Sequence, residues 1–109
     1  MSGRFSRSKG LRGERTVVHT LMECGVTANR VPLSGAAKDY PGDVETFLFG
    51  DDRVLEVKTR AKGFDRIYGW LGSNDGLVIR QDRCEPLLVI RLKDAARWTV
   101  EEVKRRAQT

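Results

Sequence analysis

Asp43, Glu56 and Lys58 have the types and spacing that suit phosphodiester hydrolysis. That reaction needs a water deprotonated near neutral pH, stabilisation of charge on the phosphoryl oxygens and help for the leaving oxygen. One or two Mg²⁺ ions can supply all three, and carboxylates are the hard oxygen donors that such ions prefer. Asp43 and Glu56 fit as ligands, and the backbone carbonyl of Val57 offers another oxygen. Lys58 is spaced to position the attacking water or to steady developing negative charge. An ordinary cross-strand salt bridge would use the same trio, and a chain with 32% charged residues also produces Asp with a later Glu-x-Lys by chance.

Parity makes these residues a set. Asp43, Glu45, Phe47 and Phe49 alternate with Val44, Thr46 and Leu48, while Val54, Glu56 and Lys58 alternate with Leu55, Val57 and Thr59, as in two paired strands. A type II′ turn at Gly50-Asp51 sets Phe49 opposite Asp52, Glu45 opposite Glu56 and Asp43 opposite Lys58. A turn at Asp51-Asp52 moves Asp43 opposite Arg60 and Glu45 opposite Lys58. Both registers put Asp43, Glu45, Glu56 and Lys58 on one face. The Gly50-Asp51 register is preferred because it brings Asp43 diagonal to Glu56, where two carboxylates can share an ion.

A helix must supply any third acid. From Lys9 or Gly10 to Cys24, the residues Leu11, Val17, Val18, Leu21 and Met22 recur at helical spacing, and Gly25 provides a stop. Glu14 falls on the apolar stripe, three residues before Val17 and seven before Leu21. It either reaches solvent at the edge of that stripe or joins Asp43 and Glu56 as a third ligand. His19, the sole histidine, falls off the stripe and reads as a surface residue.

Residues 1–8 read as a flexible basic arm and residues 9–109 as one domain. Val26–Val31 is a candidate strand, and Pro32–Gly42 is a loop of small residues in which Ser34 or backbone N–H groups can meet phosphate. Asp65 reads as the cap of a short helix bearing Ile67, Trp70 and Leu71. Leu77–Arg80 and Leu87–Leu92 read as strands, the second buried on both faces because Leu87-Leu88-Val89-Ile90 is continuously apolar. Thr99 with Glu102 reads as a capping box opening the last helix, with Trp98 stapled onto Val103. The order implies an α/β mixed sheet flanked by helices.

The net charge of +5 and pI near 9.6 favour a polyanionic partner. Fourteen of the twenty basic residues are arginine, whose fork suits phosphate oxygens, although a GC-rich genome would leave the same bias. Cys24 and Cys84 are far apart and have no histidine cluster, so neither zinc nor a disulfide is expected. Without a long apolar run or a signal-peptide pattern, the chain is expected to be cytoplasmic and to make no membrane contact.

Gly42-Asp43-Val44 followed by Leu55-Glu56-Val57-Lys58 resembles the core motif of the PD-(D/E)xK nuclease superfamily. Ahead of it, Lys9-Gly10-x-x-x-Glu14-Arg15 and Arg30-Val31-Pro32-x-Ser34-Gly35 are similar to the archaeal-type Holliday-junction resolvases, which also occur in bacteriophages. The resemblance covers Lys9–Thr59 and, more loosely, Pro86–Leu92. It implies a restriction-endonuclease-like fold, Mg²⁺ or Mn²⁺ on Glu14, Asp43 and Glu56, a catalytic Lys58, and Arg30 and Ser34 at the scissile phosphate. It further implies a homodimer that nicks two opposed strands of a four-way junction, leaving 5′-phosphate and 3′-hydroxyl ends. The residues expected to meet DNA are Lys9, Arg12, Arg15, Arg30, Ser34, Lys38, Arg60 and Lys62. The chain departs from archaeal members at Thr16, in its short middle helix interrupted by Gly69, and in an extra strand and turn before Pro86.

The expected function is therefore a structure-selective DNA endonuclease acting on branched DNA. A flap, fork or restriction-like nuclease would use the same core. A non-catalytic nucleic-acid-binding module would use the carboxylates only as salt-bridge partners, yet gains nothing from acids facing phosphates.

Overall fold

The computed structural model describes residues 2–31 and 43–108, with side chains from residue 10 onward. The elements are α1 (Ser2–Glu23), β1 (Ala28–Arg30), β2 (Val44–Leu48), β3 (Asp51–Leu55), α2 (Asp65–Leu71), β4 (Leu77–Ile79), β5 (Leu87–Val89) and α3 (Leu92–Ala107). α1 begins at Ser2 rather than at Lys9 or Gly10, so helical backbone runs through the stretch expected to form an arm.

α1 stops where its sequence requires. Gly25 takes φ 92°, its N–H donates to the Met22 carbonyl at 3.0 Å, and the Val26 N–H donates to the Leu21 carbonyl at 3.0 Å. This Schellman pair satisfies the last helical carbonyls and turns Val26 back onto Leu21. The chain then enters β1, which pairs antiparallel with β2 through Ala28↔Thr46 and Arg30↔Val44.

β2 buries alternate residues, Val44, Thr46 and Leu48, and turns Glu45 outward. Its buried face packs with Leu21, Val26, Ala28, Ala95 and Ala96, so the core lies between α1, the three-stranded sheet and α3. Alanine at 28, 95 and 96 leaves little side chain between the elements and lets their backbones approach closely.

The hairpin turn lies one residue earlier than the sequence suggests. β2 and β3 pair as Leu48↔Asp51, Glu45↔Val54 and Val44↔Leu55, with Phe49 and Gly50 at the tip. Both have positive φ, 51° and 82°, as a type I′ turn demands, whereas the expected type II′ turn needs only one such residue. A left-handed phenylalanine is costly alone, but tertiary partners hold it. The Phe49 N–H donates to Thr99 Oγ1 at 2.8 Å, and Arg53 donates to the carbonyls of Leu48 at 2.6 Å and Phe49 at 3.2 Å. The pairing shifts by two residues, so each side chain keeps its face while its partner changes.

The C-terminal third differs more. β5 pairs only with β4, in a separate two-stranded antiparallel sheet, so the described strands form two antiparallel sheets rather than one mixed sheet. Leu87 and Leu88 are 56% and 64% exposed, where a doubly buried strand was expected. Only Ile90 and Leu92 from this run reach the core. An apolar run reports that something can cover it, but not whether this chain does.

α3 starts at Leu92, seven residues before the expected cap. Thr99 is buried within it, donating to the Ala95 carbonyl at 2.9 Å while accepting from Phe49. Glu102 does not complete a capping box. It pairs with Arg105 and Arg106, whose hydrogen bonds hold its carboxyl below the usual range. Asp65 likewise occupies the first turn of α2 and does not cap it by a side-chain hydrogen bond. Arg91 joins α3 to the end of α2 by donating to the carbonyls of Gly72 and Asn74.

Candidate active site

The open end of the hairpin meets the middle of α1, and the candidate residues gather there. Glu14, Asp43, Glu56, Val57 and Lys58 line one open cavity of about 560 Å³, together with Gly10, Thr59 and Arg60. Glu14 is buried to 8% exposure at the position its helical spacing indicates. A carboxylate so enclosed requires a partner. Arg30, arriving on β1, donates Nε to Glu14 Oε2 at 3.0 Å.

Asp43 closes the end of the ladder. Its N–H donates to the Leu55 carbonyl at 2.8 Å, its carbonyl accepts the Val31 N–H at 2.9 Å, and its Oδ2 accepts the Val57 N–H at 2.9 Å. The side chain thus takes over where strand pairing stops, because β3 ends at Leu55 and Glu56–Lys58 lie beyond it. Lys58 pairs with Glu56, Nζ to Oε1 at 3.2 Å. It does not lie opposite Asp43 in the ladder, as the expected register had it. Glu45 pairs across from Val54 and lines a different cavity with Asn29 and Arg53, so it takes no part in this group.

Gly13 permits α1 to come this close. A Cβ there would overlap Thr59 Oγ1, and would lie 3.3 Å from Thr59 Cβ and 3.6 Å from Val57 Cγ1. Gly13→Ala therefore requires Thr59 to turn its hydroxyl away and the facing chain to give by a few tenths of an ångström. It is expected to lower stability by about 1–3 kcal/mol. Gly10→Ala, with nothing within 4 Å of the added carbon, should instead stabilise by roughly 0.5–1 kcal/mol by relieving helical glycine entropy. Urea midpoints of the two variants check the opposed signs.

A second cavity, of about 770 Å³, shares Val57, Lys58, Thr59 and Arg60 with the first and extends to Arg12, Lys62, Asp65 and Tyr68. The two form a continuous surface that is acidic at one end and basic at the other. Arg12, Arg60 and Lys62 thus lie beside the carboxylates, and Arg30 lies among them through Glu14. Arg15 is exposed but lines neither cavity. Ser34 and Lys38 lie outside the described residues, as does the side chain of Lys9. Sequence reasoning missed Gly13, Thr59 and the bond from Val57 to Asp43, since each matters only once α1 and the hairpin end are side by side.

Among the described residues, no three acidic, histidine or cysteine side chains form a ready-made cage for a cation. The donor chemistry nevertheless fits a hard divalent ion. Mg²⁺ keeps several waters and takes one or two carboxylates, and Asp43 and Glu56 open onto a shared cavity large enough for both ion and waters. No helix among the described residues is long and apolar enough to cross a membrane.

Searches of curated proteins and of solved structures return no significant match. The model of the archaeal Holliday junction resolvase family matches residues 5–108, nearly the whole chain, and spans both the carboxylate cavity and the α2–β5 region beyond it. The chain belongs to the archaeal Holliday junction resolvase family, a family of junction-resolving nucleases, and its α/β architecture is the restriction-endonuclease-like fold of that family.

Proposed function

We propose that this chain is a divalent-metal-dependent endonuclease. It resolves four-way DNA junctions as a two-fold dimer through paired symmetric nicks, leaving 5′-phosphate and 3′-hydroxyl ends. The observation that carries this reading is the shared cavity of Glu14, Asp43, Glu56 and Lys58, which runs directly into a cation-lined one.

Asp43, Glu56 and Glu14 would hold Mg²⁺, or Mn²⁺ in its place, with the Val57 carbonyl as a further oxygen. When bound, the ion acidifies water and neutralises phosphoryl charge. The other steps belong to this chain's own groups. The Val57 N–H holds Asp43 in one orientation, so its second oxygen stays directed at the cavity. Lys58 can exchange its exposed pairing with Glu56 for a phosphoryl oxygen and oppose the charge that grows there. Arg30 holds Glu14 in place and brings its remaining N–H donors to the edge where a phosphate would approach. Arg12, Arg60 and Lys62 neutralise the flanking backbone, with Arg15, Lys9, Ser34 and Lys38 as further contacts.

A four-way junction offers two equivalent cutting points, which a two-fold dimer matches. Exposed Trp70, Val78, Leu87 and Leu88 on α2, β4 and β5 leave an apolar surface that a second copy would cover. The reading places the enzyme in the cytoplasm, where it meets DNA.

The test is cleavage of end-labelled mobile junction, flap, fork and linear duplex, with Mg²⁺ or Mn²⁺ and with chelator. Paired nicks on opposed strands of the junction alone are expected, and only with metal present. Equal cutting of every substrate removes junction selectivity. Junction binding without metal-dependent nicking leaves a binding module.

A further inference from the structure

Tyr68 stands at the basic end of the site with its ring uncovered. It is 75% exposed, and its hydroxyl has no hydrogen-bond partner among the described residues. α2 meets the protein through buried Leu71 and half-buried Ile67, while Tyr68 projects from another side of the helix into the cavity lined by Arg12, Lys58, Arg60 and Lys62. Asp65 is the one carboxylate among the lining residues. Trp70, two positions on, lines a different groove with Ile79 and Leu87. The aromatic residues of α2 are therefore divided between two surfaces: Tyr68 shares one with Arg12, Lys58, Arg60 and Lys62, whereas the groove of Trp70 holds Arg80 beside Glu85.

Cations that follow a backbone, together with an uncovered aromatic ring, form a platform for single-stranded nucleic acid. The charges take the phosphates, and the ring takes the face of a base that has lost its stacking neighbour. A base within continuous duplex has both faces occupied and cannot use the ring. We propose that the cavity between α1, residues 57–62 and α2 binds the branch-point segment of the DNA strand adjoining the carboxylate cavity, with Tyr68 stacked on a base that has lost its stacking neighbour there. This deepens the nuclease reading and relies on it for the adjoining phosphate, but the binding itself requires no cutting. Tyr68 is thus a positioning residue for branched over continuous DNA.

The full-length protein is titrated in EDTA with a four-way junction, an unpaired oligonucleotide and a linear duplex, the first two carrying 2-aminopurine at or near the branch. Tyr68→Ala is expected to weaken binding of the junction and of the unpaired strand by about 5- to 100-fold, to abolish quenching of the probe and to spare the duplex. Tyr68→Phe should restore both affinity and quenching, because stacking needs the ring and not the hydroxyl. Lys62→Ala should reduce the salt dependence of binding by about one phosphate contact. The proposal is overturned if Tyr68→Ala binds like the parent, if it weakens junction and duplex alike, or if light scattering shows the loss to follow a change of oligomeric mass. Tyr68-dependent binding without metal-dependent nicking would sink the nuclease reading and leave this one standing. Nicking with Tyr68-independent binding would do the reverse.

Discussion

Asp43→Asn is expected to lower junction nicking by on the order of 10³-fold while the protein stays folded. The amide has the shape of the carboxylate and can still present an oxygen to the Val57 N–H, now 2.9 Å from Oδ2, so the end of the ladder keeps its closure. What disappears is the negative charge that would hold a divalent ion beside the reacting phosphate. Asp43→Ala removes the acceptor as well, leaving the partly buried Val57 N–H unpaired at a cost of about 1–3 kcal/mol. Comparing the two separates the structural role of Asp43 from its electrostatic one. Nicking rates give the first quantity and urea midpoints the second. Junction binding in EDTA should be unchanged or tighter in Asp43→Asn, since a negative charge facing phosphates has gone. Full activity in both variants would remove Asp43 from the chemistry.

Lys58→Ala is the second large effect, a loss of about 10²- to 10³-fold in single-turnover nicking at saturating junction. Its ion pair with Glu56 is 61% exposed on the lysine side and 53% on the glutamate side. Water screens such a pair, so its removal should change stability by less than about 1 kcal/mol. Metal-free junction binding should fall only a few-fold, because Arg12, Arg60 and Lys62 remain on the adjoining surface. Lys58→Arg should recover binding more than rate, since a planar fork does not occupy the place of a compact ammonium. A mutant that loses binding and rate in equal measure would make Lys58 a phosphate contact and nothing more.

Much of the site is legible along the chain. Alternation around Asp43 and Glu56 requires only that two strands pair, and a shift of two residues in register leaves every side chain on its own face. The wrong turn therefore leaves Asp43, Glu56 and Lys58 together, although it misassigns each cross-strand partner, and Glu45 lines a different cavity. Glu14 is placed by helical spacing alone, and Gly25 by the need for a left-handed stop. Both are local signals, carried by residues close together in the chain.

What the sequence by itself determined is the set of faces: Asp43, Glu56 and Lys58 together at the end of the hairpin, Glu14 on the inward stripe of α1, and a basic balance suited to a polyanion. Tertiary structure decided the partners. Phe49 holds a left-handed turn with its N–H captured by Thr99, fifty residues away, and Thr99 lies inside α3 because that helix starts at Leu92. Leu87 and Leu88 lie exposed because β5 found only β4 to pair with. Gly13 lets α1 settle against Thr59, joining the acids to the cationic cavity that ends on Tyr68. Backbone period and turn chemistry act over a few residues and can be read along the chain. Close approach and hydrogen-bond capture depend on which distant elements meet, and only the folded packing sets that.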